Sequence, residues 1–304
     1  MLQVVHHPDY VVETEGTGTF LHDKYALVMR VLYESQVPMS VHAPEVLSRE
    51  WLEAVHDSAY VDEVIACTVP AAKQRRIGFT VDKHISRRVQ LSAGGTWLAA
   101  KLALQHGYAA NAAGGSHHAL ADTGAGYCVF NDLVLAANRL IEEDDVSRIL
   151  ILDLDVNQGD GTADLTAGRS DIFTLSIHAE KNFPTRKARS SLDVGLPDAT
   201  GNAGYLEALA GSLPMVLDHF APELILLQAG IDAHVDDKLG RLSLSDEGLA
   251  DRDRFVALEA KRRGIPLAST LGGGYGADRQ AVASRHARTI LALSAAIDAD
   301  GPTS

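Results

Sequence analysis

The sequence predicts a single-domain α/β protein built on a mainly parallel central sheet. Three observations carry this reading: short aliphatic runs of strand length, helical periodicity between them, and no linker-like stretch that would split the 304 residues. A chain this long buries a sizeable core without staples. In chain order, Leu2 to His6 reads as the first buried strand. Lys24 to Tyr33 reads as a helix, because Leu27, Val28, Val31 and Leu32 share one face. Ser86 to His106, long and rich in Ala and Leu, and Asp132 to Ile141 keep the same period. Two further strands follow, Arg148 to Asp153 and Ile172 to Ile177. Then come a helix from Tyr205 to Phe220 and a strand from Leu224 to Gln228. The helix from Asp246 to Arg263 has Ser245 as its N-cap and Asp246 and Glu247 in its first turn. Pro266 to Leu271 closes the series as a strand. Such alternation implies parallel βαβ units, in which ligands bind beyond the carboxyl ends of the strands.

Charge narrows the function. Lys and Arg number 27 against 40 Asp and Glu, a net charge of −13. That surplus excludes a surface built to grip nucleic acid or an anionic membrane, and it leaves basic protein tails or cationic metabolites as partners. The two cysteines, Cys67 and Cys128, cannot form a disulfide framework or a four-cysteine zinc site, which fits a reducing compartment. No apolar run reaches the roughly 18 residues of a membrane span, and the start of the chain lacks the basic and apolar pattern of a signal peptide. The expectation is a cytoplasmic protein.

Four segments just after the strand-like runs carry polar chemistry. Gly114-Gly115-Ser116-His117-His118 sets two histidines on a loop with room for a close backbone approach, although a His pair alone also reads as core or surface. Ile149-Leu150-Ile151-Leu152-Asp153-Leu154-Asp155-Val156-Asn157-Gln158-Gly159-Asp160-Gly161 runs an apolar strand into three acids, with Asp153, Asp155 and Asn157 on one face by the two-residue period. Neighbouring buried carboxylates need a cation or a donor, so the segment points to a metal; the alternative is a solvated acidic turn. Leu224-Ile225-Leu226-Leu227-Gln228-Ala229-Gly230-Ile231-Asp232 ends another strand on an acid, as a cap or as a further ligand. Leu271-Gly272-Gly273-Gly274-Tyr275-Gly276 presents one phenol on a glycine-rich backbone and lacks the Lys-Ser/Thr ending of a phosphate loop. Together the pieces describe metal-assisted hydrolysis. A carboxylate-held cation acidifies water and polarises a carbonyl. A histidine takes a proton, a second protonates the leaving group, and a phenol donates to the developing oxyanion. Carboxylates behind the histidines fix their tautomers.

In this order the four segments resemble the histone deacetylase family of the arginase/deacetylase fold, closest to its class IV and bacterial class IV-like members. Phe20-Leu21-His22-Asp23-Lys24-Tyr25, Arg75-Arg76-Ile77-Gly78-Phe79, Gly126-Tyr127-Cys128-Val129-Phe130-Asn131-Asp132, Glu180-Lys181-Asn182-Phe183-Pro184 and Leu239-Gly240-Arg241-Leu242 extend the likeness over nearly the whole chain. The resemblance implies one three-layer α/β/α catalytic domain over residues 1–304 that removes acetyl or longer acyl groups from lysine side chains of a protein or peptide, or from small acylated amines. It implies His117 and His118 as the general base and acid pair, Asp153 and Asp160 as their hydrogen-bonding acids, and Tyr275 as the carbonyl-polarising tyrosine. It also implies Asp155 and Asp232 as metal ligands, with zinc the family metal, and Gly126 and Tyr127 as the wall of the acyl-lysine channel. A structural K⁺ or Na⁺ would lie at Asp153, Asp155, Asn157, Ser176 and Ile177. His22 and His178 fall in family-like segments, where they read either as structural or as lining the pocket mouth.

One position departs from the pattern. The family has Asp-x-Asp-x-His, and here Asn157 stands at the only nitrogen ligand of the metal. An all-oxygen set of two carboxylates and an amide suits Mg²⁺, Mn²⁺ or Ca²⁺ better than zinc, with Fe²⁺ a further candidate. Three accounts stay open: a natural enzyme with a retuned metal site, a non-catalytic relative that binds acyl-lysine-like ligands, and an engineered change. Ureohydrolysis on the same fold ranks last, because a two-metal site needs more Asp and His ligands than these segments supply.

Overall fold

The computed structural model describes residues 1–12 and 22–299; Phe20 and Leu21 of the N-terminal signature lie outside them. Eight strands form one sheet: β1 (Leu2–Val5), β2 (Met39–His42), β3 (Tyr108–Asn111), β4 (Ile149–Asp153), β5 (Ile172–Ala179), β6 (Leu192–Leu196), β7 (Leu224–Gln228) and β8 (Leu267–Thr270). Their order is β2-β1-β3-β8-β7-β4-β5-β6, and every pairing is parallel. The mainly parallel expectation is therefore met without exception.

The central strands are apolar on both faces, as a parallel sheet covered on both sides requires. On β4, Leu150 and Leu152 join the core beneath one helical layer. Ile149 and Ile151 point the other way, into a second core. The first layer contains α1 (Lys24–Glu34), α8 (Asn202–Phe220), α9 (Asp246–Arg262) and α10 (Arg279–Asp298). The second contains α5 (Lys83–His106) and α6 (Asp132–Glu142). The short helices α2 (Arg49–Glu53), α3 (Ser58–Ile65) and α4 (Ala71–Ile77) pack outside α5 around Leu52, Tyr60, Val64 and Ile77. One more short helix, α7 (Asp160–Leu165), follows β4. The result is the expected three-layer α/β/α arrangement.

Caps place several of these elements. Ser245 Oγ accepts from Gly248 N at 3.2 Å at the start of α9, as its sequence predicts. Asn131 Oδ1 accepts from Val134 N at 3.2 Å and starts α6, so the helix begins at Asp132, the last residue of the Gly126 to Asp132 segment. Strand β4 stops at Asp153. Asp155 and Asn157 therefore sit in the loop beyond it, and hydrogen bonds rather than strand period align them.

Candidate active site

Strands β3, β8, β7 and β4 are neighbours in the sheet, and the loops at their carboxyl ends converge. Each of the four polar segments leaves one of these strands, so sheet order brings together residues distant in sequence.

The loop after β3 delivers the histidines. Gly115 N and Ser116 N donate to the two oxygens of Asp132, at 3.0 and 2.7 Å. Thr96 Oγ1 donates to the same carboxyl at 2.5 Å. Asp132 is buried in the first turn of α6, where burial raises its carboxyl above the ordinary value against the pull of these donors. From α7, Thr162 N donates to the His117 carbonyl at 3.0 Å. Clamped this way, both histidines are buried and line the cavity. His117 Nδ1 donates to Asp153 Oδ2 at 2.7 Å, and His118 Nδ1 donates to Asp160 Oδ1 at 2.6 Å. Each carboxylate sets the tautomer and turns Nε2 the other way.

The two rings lie 4.0 Å apart between centroids and differ electrostatically. Burial opposes charge on His117, but the Asp153 and Asp155 carboxylates outweigh it and raise the imidazole to about 9. Burial, then the charge of His117, pushes His118 down to about 4 despite Asp160. Two adjacent buried imidazoles cannot both charge cheaply, so one holds a proton and the other presents a lone pair.

Beside them lies a pair of buried carboxyls. Asp155 Oδ1 accepts from Asn157 N at 3.0 Å, and Oδ2 accepts from Gln228 Nε2 at 2.8 Å and Gly273 N at 2.9 Å. Burial opposes its charge, but His117 and these donors hold it well below the usual carboxylate range. Asp232 shifts the opposite way, raised by burial and by Asp155 beside it. Its Oδ1 accepts from Val156 N at 2.9 Å, while Oδ2 is buried with no hydrogen-bond partner. The backbone of Gly273 closes over the pair: a Cβ there would lie 2.0 Å from Asp232 Oδ2 and 2.7 Å from Asp155 Oδ2. Two facing buried carboxyls, one with a bare oxygen, fit a hard divalent cation. Among the described residues no third His, Cys, Asp or Glu joins them.

The third side chain of that motif is committed elsewhere. Asn157 Nδ2 donates to Asp155 Oδ1 at 3.2 Å, and Asn157 Oδ1 accepts from Asn182 Nδ2 at 3.0 Å. Asn182 Nδ2 also donates to the Leu239 carbonyl at 3.0 Å. A carbonyl can only accept, so it fixes which end of Asn182 faces it, and that in turn fixes Asn157. The amide oxygen, which the sequence suggests for a metal, is held by Asn182.

Tyr275 lines the same cavity, with its backbone N–H on Asp237 Oδ2 at 2.6 Å. Burial and then Asp155 push its phenol well above the ordinary value, so it remains a donor. Tyr127 tilts against it, with ring centroids 5.5 Å apart, and stacks on Phe79 at 6.3 Å. Phe183 meets His118 edge-on at 4.8 Å. Gly126 and Tyr127 both have positive φ, 52° and 68°, and their amides donate to the Arg76 and Ile77 carbonyls at 3.1 and 2.7 Å. A Cβ on Gly126 would lie 2.6 Å from His118 Cδ2, so only glycine lets this wall approach the imidazole. Cys128 is buried beside it.

The structure thus gathers His117, His118, Asp155, Asn157, Gly126, Tyr127 and Tyr275 around one cavity of about 490 Å³. Asp153, Asp160 and Asp232 stand directly behind. Ser176 lies opposite Asp153 in the β4–β5 register, with Ile177 next along β5. His22 and His178 are not among the lining residues; His178 is buried on Ser176 Oγ at 2.9 Å. Sequence reasoning missed Asp132, Gln228, Asn182 and Asp237 as site residues. An acid in the first turn of an apolar helix was a usable signal for Asp132, and a polar residue ending a buried strand was one for Gln228.

The site lies at the carboxyl ends of a parallel sheet in a three-layer α/β/α protein. Residues 19–291 match the histone deacetylase domain, and the chain belongs to the histone deacetylase family. It is 41% identical over 285 residues to an uncharacterised protein of Picosynechococcus sp., covering 93% of this chain and 95% of that one. It is 32% identical over 259 residues to Histone deacetylase 2 of Arabidopsis thaliana, covering 84% of this chain and 65% of that relative. A probable deacetylase of Methanothermobacter thermautotrophicus is 29% identical over 287 residues, covering 90% and 85%. An acetylpolyamine aminohydrolase from Burkholderia pseudomallei shares the fold, with a TM-score of 0.80 at 20% identity, covering 98% of this chain and 99% of that one. No helix among the described residues is long and apolar enough to cross a membrane.

Proposed function

We propose that this chain is a metal-dependent deacylase, of the class IV-like kind, that cleaves the amide between an acyl group and the ε-amine of a lysine or a related amine. One observation carries the reading: two imidazoles, each on its own carboxylate, share a single cavity with Asp155 and a protonated phenol, and Asp232 stands behind Asp155 with a bare buried oxygen. Asp155 and Asp232 would hold the divalent cation, and Asn157 would support Asp155 from the side. When bound, the cation supplies Lewis acidity toward the acyl carbonyl and toward water. His118, neutral through its Nδ1–H bond to Asp160, offers Nε2 as the base that takes a proton from attacking water. His117 holds a proton against Asp153 and balances the negative charge of the floor. Tyr275 keeps its phenolic proton and donates a hydrogen bond with it to the oxygen on which charge develops. A protonated imidazole then returns the proton to the departing amine. Asp153, Asp155, Asn157, Ser176 and Ile177 would hold a monovalent cation behind the site.

A second reading has one observation in its favour. Asn157 gives its oxygen to Asn182, so the motif offers one donor fewer than the family set, which favours a binding protein for acyl-lysine-like ligands. Both readings meet in one assay. Acetyl- and long-chain acyl-lysine peptides are incubated with the protein and Zn²⁺, Mn²⁺, Fe²⁺ or Mg²⁺, beside Asn157→His. Release of free acid by the protein itself supports the deacylase. Intact peptide with every cation, together with release by Asn157→His, supports the binding protein.

A further inference from the structure

The cavity mouth carries a charge opposite to that of the protein. Four exposed residues line the cavity with a full charge, Arg75, Arg76, Lys181 and Arg241, and all are basic. Among the described residues the only acids that line it, Asp132 and Asp155, are buried. On a chain with net charge −13 this is a local reversal. Composition alone points toward basic partners; the entrance points the other way.

These cations are placed to act on substrate. Arg75 and Arg76 sit on the last turn of α4, whose Arg76 and Ile77 carbonyls accept the amides of Gly126 and Tyr127, so they are fixed to the channel wall. Lys181 and Arg241 come from loops on either side of Asn182 and Leu239, which are hydrogen-bonded to each other. Among the described residues, Arg75, Arg76 and Lys181 form no ion pair, while Arg241 shares Asp198 at 3.0 Å. Cations that outnumber exposed acids in a concave mouth concentrate anions and repel cations.

We propose that the preferred substrate is an acyl-lysine flanked by acidic residues in a peptide or protein, and that Arg75 and Arg76 determine this specificity. The inference rests on the deacylase reading for the position of the acyl group in the channel. It separates this chain from a polyamine substrate, whose remaining ammonium groups would meet Arg75, Arg76, Lys181 and Arg241.

The test uses three peptides with one central acetyl-lysine flanked by Asp, Ser or Lys and otherwise identical. Binding is measured by isothermal titration on the full chain carrying His118→Ala, so that the peptides survive. Acetate release is measured on the wild-type chain. Exposed ion pairs give up to about fivefold each, so two of them give up to about 25-fold in Kd between the Asp and Lys peptides. The gap narrows from about 0.05 to about 0.5 M salt as screening shortens. It disappears or inverts when Arg75→Glu and Arg76→Glu are added. Arg75→Gln with Arg76→Gln serves if charge reversal impairs folding. Equal affinities for the Asp and Lys peptides, a preference for Lys, no binding of any peptide, or a preference that survives both double variants overturns the proposal. A charge preference in binding without acetate release from the wild-type chain keeps the preference as one for a bound ligand and removes the deacylase reading.

Discussion

His117 and His118 are adjacent in sequence, equally buried, and each donates Nδ1–H to an aspartate at nearly the same distance, 2.7 and 2.6 Å. They nevertheless diverge, His117 rising to about 9 and His118 falling to about 4. The difference comes from the third neighbour. His117 Nε2 stands 3.8 Å from Asp155 Oδ1, so His117 has two carboxylates against burial. For His118, burial and the charge of His117 outweigh Asp160 and the smaller pull of Asp155. A shared His–Asp pattern therefore does not define a role; the groups beyond the pair do.

The largest expected effect breaks this comparison most directly. His118→Ala should lower kcat/KM by about 10²- to 10⁴-fold, the range for a lost general base, and His117→Ala should lower it less. Steady-state kinetics on both variants decides, and equal losses would end the division of labour. Next, Tyr275→Phe removes the donor that faces the pair and should lower kcat by about 10²- to 10³-fold with little change in melting temperature. A loss confined to KM would place Tyr275 in binding instead. Smaller still, Asp160→Asn and Asp153→Asn should each lower activity by about 10- to 100-fold. Asp160→Asn should also shift the acidic limb of the pH–rate profile, and an unmoved limb would detach Asp160 from His118.

The smallest effect is on stability and comes from a third histidine. His56 is kept neutral like His118, but by other means. Its Nδ1 donates to the Leu120 carbonyl at 2.9 Å and its Nε2 accepts from Asn131 N at 3.0 Å, so a second proton has no acceptor. Burial lowers it to about 4. The folded state then binds fewer protons than the unfolded state, whose imidazole titrates near 6.5, so stability falls as pH drops below that value. At pH 5 the loss from this residue is about 2 kcal/mol. Denaturant unfolding at pH 7 and pH 5 should show a shallower pH slope in His56→Gln than in the wild-type chain; the same slope in both would assign the acid sensitivity to other groups.

The central strands and the catalytic segments were legible for the same reason. The runs before Asp153, Gln228 and Leu271 are buried on both faces, and burial of that kind leaves an unbroken aliphatic signature. Three strands left no such mark. β2 and β6 are edge strands with partly exposed residues, and β3 reads Tyr-Ala-Ala-Asn, which takes its extended form from pairing with β1 and β8. α10 also went unread, since Ala283, His286, Ala287, Thr289 and Ser294 interrupt the apolar stripe of Val282, Ile290 and Leu293 on its buried face. Among site residues, those named from the motifs converge because sheet order brings their strands together. Asp132, Gln228, Asn182 and Asp237 act on other residues rather than on substrate, and such contacts appear only once the chain is folded. The Leu239 carbonyl that orients Asn182, and through it Asn157, could not be read from spacing.

The central claim is that Asp155 and Asp232 hold a catalytic cation. The direct test is titration of chelator-treated protein with Mn²⁺ and Zn²⁺ by calorimetry, beside Asp232→Asn, with acetate release from an acetyl-lysine peptide followed on the same samples. One bound ion per chain, lost in Asp232→Asn, with acetate released only by the reloaded protein, is the expected result. Binding that survives Asp232→Asn, or acetate release that continues without any cation, would contradict it.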